Sequence, residues 1–176
     1  MRLFLAVSLP QPVCAALDTT MDELRRRGVS GSFTRRENLH LTLAFLGETD
    51  RVECLTELLS RLKAAPFELT IQGLGQFNDT WWAGAAPNPQ LQELVYRLRS
   101  ELSAAGFPVD SRRFCAQITL ARRVRAVQGA FPAFAPLTFT VDRITLMHSH
   151  RVDGLLTYTP VWEQKLIGPQ NLTKKK

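Results

Sequence analysis

Two short segments constrain the fold more than anything else in the chain: ENLHLTLAFLGE at residues 37–48 and CAQITLARR at residues 115–123. Each holds an aliphatic residue, a threonine and a leucine in the same order. On a β-strand, successive side chains point to opposite faces. In the first segment Leu39, Leu41 and Leu43 then share one side, and His40, Thr42 and Ala44 the other. In the second, Ile118 and Leu120 take the apolar side, and Gln117, Thr119 and Ala121 the polar one. Such a strand packs one face on a core and keeps the other accessible. Two of them in one chain predict two sheets whose polar faces floor a shared cleft.

The remaining pattern supplies the other elements. Leu3 to Leu9 is a compact apolar run stopped by Pro10, which reads as a buried strand. Pro12 to Arg27 reads as a helix with Val13, Leu17, Met21 and Leu24 on one face and Gly28 at its end. Leu39 to Leu46 is the next strand. A second helix follows, with Asp50 as N-cap, an apolar face from Val52 to Leu62, and Pro66 as its stop. Phe67 to Ile71 alternates as a strand, QGLGQFNDT reads as turn, and WWAGA as a short strand. Leu91 to Ala105 is the clearest helix, closed by Gly106. A strand around Ile118, a loop from Val127 to Pro136, and strands at Leu137–Met147 and Leu155–Leu166 joined near Asp153-Gly154 complete the chain. Two roughly equal halves each hold helices, strands and one Thr-Leu segment, with no disordered linker between them. The expected fold is one α+β domain over residues 1–176. It has two pseudo-symmetric lobes, antiparallel sheets facing a central cleft, and helices outside.

The hydrophobic content of 45% and charged content of 22% suit a globular domain. A net charge of +6 suits a polyanionic partner. Lys174, Lys175 and Lys176 read as a loose tail. Cys14, Cys54 and Cys115 are odd in number and far apart, which argues against a disulfide framework or a zinc site and for a reducing cytoplasm. The opening MRLFLAVSLP is too short an apolar run, and lacks a cleavage site, to read as a signal peptide. No apolar stretch approaches the length of a membrane span.

Two groups on opposite sides of a phosphodiester can act as general acid and general base, while threonine hydroxyls hold the phosphate oxygens. A lone strand histidine is more often a buried ring satisfied by a neighbouring carbonyl. The repetition of the motif favours the catalytic reading of His40.

With these residues in view, the sequence resembles the 2H phosphoesterases, and among them the bacterial RNA 2′,3′-cyclic phosphodiesterases, also called 2′-5′ RNA ligases. The resemblance rests on His40-Leu41-Thr42-Leu43 as an H-x-T-x motif within ENLHLTLAFLGE. It extends through RLFLAVSLP, the segment from GLGQF to WWAG, RRF…ITLAR and YTPVWE, nearly the whole chain. It implies a two-lobed fold and opening of 2′,3′-cyclic phosphate RNA ends to 2′-phosphates, with no metal and no cofactor. By the same resemblance His40 protonates the leaving 3′ oxygen, Thr42 and Thr119 hold the phosphate, and Arg122 assists them. Strict alternation turns Arg122 away from Thr119, so this role requires the strand to bend or end after Leu120. The partner so implied is RNA with 2′,3′-cyclic phosphate ends or related nucleotides, with no membrane and no obligate protein partner.

Gln117 departs from the pattern. It stands at the second catalytic position, where the family has a histidine, and Ala116 stands where a proline is common. An amide cannot take a proton from water near neutral pH, and general-base help is typically worth ~10²–10⁴ in rate. The substitution predicts reduced activity. A second hypothesis is therefore a non-catalytic protein that binds RNA ends through Thr42, Thr119 and the arginines. His148 and His150 share a face by alternation, but no third metal ligand accompanies them, and they read as exposed residues beside a hairpin. Of Trp81 and Trp82, one can stack a base and the other belongs to the core, since neighbours on a strand face opposite ways.

Overall fold

The computed structural model describes residues 1–125 and 132–168. The lysines at 174–176 and the first part of the 127–136 loop lie outside the described residues. The elements run β1 (Arg2–Ser8), α1 (Gln11–Arg26), β2 (Ser32–Phe33), a 3₁₀ turn (Arg36–Asn38), β3 (His40–Glu48) and α2 (Val52–Ser60). They continue with β4 (Phe67–Phe77), β5 (Thr80–Ala85), α3 (Pro89–Ala104), β6 (Ile118–Arg122), β7 (Leu137–Val141), β8 (Arg143–Val152) and β9 (Leu155–Lys165). Two antiparallel sheets result, in the orders β3-β1-β8-β9 and β2-β6-β5-β4-β7.

The two sheets are built alike. Setting aside the two-residue β2, β3-β1-β8-β9 corresponds strand for strand to β6-β5-β4-β7, with a Thr-Leu strand first in each. The units β1-α1-β3 and β5-α3-β6 repeat the same plan, and both helices are 16 residues long. Each carries a proline in its first turn, where the missing N–H is no loss. Each ends on a glycine in the left-handed region, Gly28 at φ 88° and Gly106 at φ 88°. There the next amide folds back onto the helix, Val29 to the Leu24 carbonyl and Phe107 to the Leu102 carbonyl. Leucines of α1, α2 and α3 join Leu3, Leu5, Leu41, Leu43, Ile118 and Leu120 in one continuous core.

Several expectations need correction. The sheets are not the halves of the sequence: β8 and β9 return from the C-terminal half to flank β1. The run expected as one strand from Leu137 to Met147 is two, broken at Asp142; β7 pairs with β4 and β8 with β1. The apolar positions change phase at the break, from Leu137, Phe139 and Val141 to Ile144 and Leu146; that shift marks an interruption but not which sheet each strand joins. QGLGQFNDT is mostly strand, because β4 runs to Phe77 and only Asn78 and Asp79 turn. Arg51, not Asp50, stands at the N-cap of α2, and that helix ends at Ser60, ahead of Leu62 and Pro66. The hairpin at Asp153-Gly154 is present, with both residues at positive φ as a type I′ turn requires.

Candidate active site

The first Thr-Leu strand places its groups as alternation requires. Leu39, Leu41 and Leu43 are buried, while His40 and Thr42 look out on the opposite face, partly covered. The imidazole is held at both nitrogens. Nδ1 lies 2.7 Å from the Asn38 carbonyl and Nε2 lies 2.8 Å from the Thr42 hydroxyl. A carbonyl only accepts, so Nδ1 carries the proton in the neutral ring and Nε2 accepts from Thr42. The carbonyl is aimed by the 3₁₀ turn, which is itself pinned. The Asn38 side-chain amide donates to the Leu156 carbonyl at 2.9 Å, and the Arg35 guanidinium donates to the same oxygen at 2.8 Å.

Aromatic rings complete the surround. Phe4 lies 5.0 Å from the His40 ring, and Tyr158 stands edge-on to it, also at 5.0 Å. Burial is the main influence on His40 and depresses its pKa; the Asn38 carbonyl opposes this, and the Arg122 charge depresses it further. Burial raises the pKa of Tyr158, with the Arg122 and Arg2 charges acting against it. Tyr158 is therefore a hydroxyl donor at neutral pH. A cavity of about 360 Å³ opens beside this cluster, bounded by Asn38, His40, Tyr158, Met147, Arg36 and Cys14 among others.

In the second strand Thr119 faces away from the core while Ile118 and Leu120 are buried. Ala121 does not share the Thr119 face as alternation suggests; it is fully buried. The cause is a bulge. Thr119 pairs with Trp82 and Ala121 with Trp81, leaving Leu120 as an extra residue. Leu120 and Ala121 both turn inward, and Arg122 returns to the outer side with Thr119. The bend that an Arg122 role required is therefore present. β3 carries the same irregularity one residue after its threonine: Thr42 pairs with Ala6 and Ala44 with Leu5, leaving Leu43 extra.

The chain itself ties the two strands together. Ser32 and Phe33 pair with Arg122 and Ala121. Thr34 donates its amide to the Leu120 carbonyl at 2.8 Å and its hydroxyl to the Thr119 carbonyl at 2.9 Å. The same segment then runs through the 3₁₀ turn into His40. β3 and β6 are thereby held side by side, with His40 and Thr42 on one, Thr119 and Arg122 on the other, and the Arg122 field reaching His40 and Tyr158. Gln117 sits just before β6 and is exposed.

Phe4, Asn38 and Tyr158 are parts of the site that the sequence reading gave no role. Asn38 stands two residues before His40, and Tyr158 lies inside YTPVWE, but nothing local marks either as a neighbour of the imidazole. His148 and His150 take no part. Their rings stack at 4.4 Å, and they alternate with Ser149, the partner of Tyr158, so they face the other side of the sheet. Among the described residues no three His, Cys, Asp or Glu side chains cluster as metal ligands. Trp81 is the core tryptophan at 7% exposure, and Trp82 lies on the Thr119 face.

This arrangement has close counterparts. An RNA 2′,3′-cyclic phosphodiesterase of Thermotoga maritima is 33% identical over 85% of this chain and 87% of its own length. One of Escherichia coli is 30% identical over 91% of this chain and 93% of its own. The crystal structure of E. coli LigT complexed with 3′-AMP superposes with a TM-score of 0.82 at 31% identity, covering 94% of this chain and 97% of that one. Residues 10–153, which contain both Thr-Leu strands and the segment joining them, match the profile of the 2′-5′ RNA ligase superfamily, and to that family the chain belongs.

Proposed function

We propose that the protein is an RNA 2′,3′-cyclic phosphodiesterase, which opens the cyclic phosphate at an RNA 3′ end to leave a 2′-phosphate. The observation that carries this reading is the pairing of His40 Nε2 with the Thr42 hydroxyl beside a strand that presents Thr119 and Arg122. Thr42, Thr119 and Arg122 hold the phosphate oxygens. Water attacks phosphorus and loses a proton to solvent, the bond to the 3′ oxygen breaks, and His40 gives that oxygen a proton. Burial and the Arg122 charge favour the neutral imidazole of His40. A phosphate entering between them opposes that field and favours the imidazolium that an acid needs. Tyr158 is placed to donate to the same phosphate.

Gln117 orients water by hydrogen bonding and cannot accept its proton. Turnover is accordingly below that of a site with two imidazoles. The exposure of Gln117 is the one observation that favours the second reading, a protein that only binds RNA ends. The Thermotoga maritima and Escherichia coli relatives both bear the name of the enzyme, and the binding reading is not favoured. A cytoplasmic location accords with three free cysteines, and no helix among the described residues is long and apolar enough to cross a membrane.

Turnover of a nucleoside 2′,3′-cyclic phosphate tests the proposal, with the product identified as 2′- or 3′-monophosphate and His40→Ala as control. A 2′-monophosphate produced by the parent protein and absent with the variant supports it. Binding of the product without turnover would establish the second reading instead.

A further inference from the structure

On the outer face of the second sheet, Gly75, Trp82 and Thr119 form one cross-strand row over β4, β5 and β6. The indole of Trp82 leans away from Thr119 and crosses directly over Gly75. A methyl group at Gly75 would overlap three carbons of the benzo ring, Cη2, Cζ2 and Cζ3. Gly84 gives further room, because a Cβ there would stand 3.4 Å from Cζ3. The ring is thus laid on a floor of bare backbone. Its indole N–H is buried and meets no acceptor among the described residues, so contact with the strand holds the ring in place. Trp82 nonetheless keeps part of its surface open, whereas the neighbouring Trp81 is buried in the core. Phe77, 72% exposed, continues the same face one pair further along.

An aromatic ring backed by glycine, partly exposed and next to a phosphate-holding threonine, suits a nucleobase. We propose that Trp82 is the stacking platform for the base of the nucleotide that carries the cyclic phosphate. The proposal rests on the phosphodiesterase reading for the position of the phosphate at Thr119. The sugar then spans from the phosphate on β6 to the base over β4. Because every base has a π-face, the platform accepts purine and pyrimidine ends alike. The glycine at 75 is part of the device: a side chain there would tilt the indole off the strand and spoil the flat surface.

The test compares two ligands on the folded protein by calorimetric titration. One is a nucleoside 2′-monophosphate, either 2′-AMP or 2′-UMP; the other is inorganic phosphate, which has no base. Trp82→Ala should weaken both nucleotides by about 5- to 150-fold and leave inorganic phosphate unchanged. Trp82→Phe keeps a ring and should restore most of the loss. Gly75→Val keeps Trp82 itself and should weaken the nucleotides alone, so the result does not depend on a single variant folding well. Unchanged nucleotide affinity in Trp82→Ala, or an equal loss on both ligands, overturns the platform and leaves the phosphodiesterase reading standing. Failure of the parent protein to bind either ligand overturns that reading, and the platform with it.

Discussion

At the scale of single residues, Gln117 and Arg122 make opposite statements about the same phosphate. By its resemblance to the family pattern Gln117 stands where a base is expected, and it lacks a titrating group. Replacing it with histidine should raise cyclic-phosphate turnover by on the order of 10²–10⁴. With His40 alone as acid, kcat/KM falls as pH rises through its pKa. Since that pKa is lowered, the fall should lie on the acid side of the usual 6.5. In Gln117→His a second, low-pH limb should appear and make the profile bell-shaped. A folded variant with neither gain nor new limb would show that position 117 does not face the reacting phosphate. Removing the Arg122 charge acts on the other partner. Arg122→Ala should raise the His40 pKa, because a nearby cation no longer opposes the imidazolium, and shift the existing limb to higher pH. The same change should weaken a short RNA with a 2′-phosphate end and flatten the salt dependence of its binding. An unmoved limb with an unchanged salt slope would place Arg122 outside the site.

Among the elements, α3 shows how a local signal and a distant contact combine. Asn88 caps the helix, its side-chain oxygen accepting from the Leu91 amide at 2.9 Å, while its side-chain nitrogen donates to the Glu68 carbonyl on β4 at 2.7 Å. The sequence reading began this helix at Leu91 and named no cap for it; the structure starts it at Pro89 with Asn88 as the cap. Asn88→Ala should cost about 1–2 kcal/mol of stability, read from the midpoint of chemical denaturation. A loss well below that would mean that water replaces both bonds. The bulges at Leu43 and Leu120 are likewise features of elements. Each follows a threonine by one residue and turns the next residues without disturbing the polar pair. Alternation predicted the faces correctly up to each threonine and failed after it, because a bulge is set by the partner strand.

For the whole molecule, the continuous core and the buried histidine set two further expectations. Leu98 is fully buried on α3 within that core. Leu98→Ala should destabilise by about 2–5 kcal/mol, measured by urea denaturation, and a change well under that range would indicate that the helix collapses into the space. His40 links stability to pH. Its folded pKa is lowered, so the unfolded chain takes up the proton first. Its effect on stability is absent above the unfolded value near 6.5, and stability is lost as pH falls through the lowered folded value. His40→Gln should therefore lose less stability than the parent between about pH 7 and pH 5. Equal slopes for the two proteins would mean that the ring is hydrated in the folded state.

Short-range chemistry made much of this legible in the residues alone. Leucine periods and terminal glycines marked α1 and α3, and alternation put His40, Thr42 and Thr119 opposite the core. Those features depend on neighbours within a turn or a strand repeat, which the sequence states directly. The tertiary structure decided the rest. It sent β7 and β8 to different sheets, where the sequence shows only a change of phase at Asp142, and returned Arg122 to the Thr119 face through an extra residue. It also brought Phe4 and Tyr158 against an imidazole far from both in the chain, and laid Trp82 across Gly75. Each of these is a matter of register between strands distant in sequence, and register follows from how whole sheets bury their faces, not from the residues of one strand.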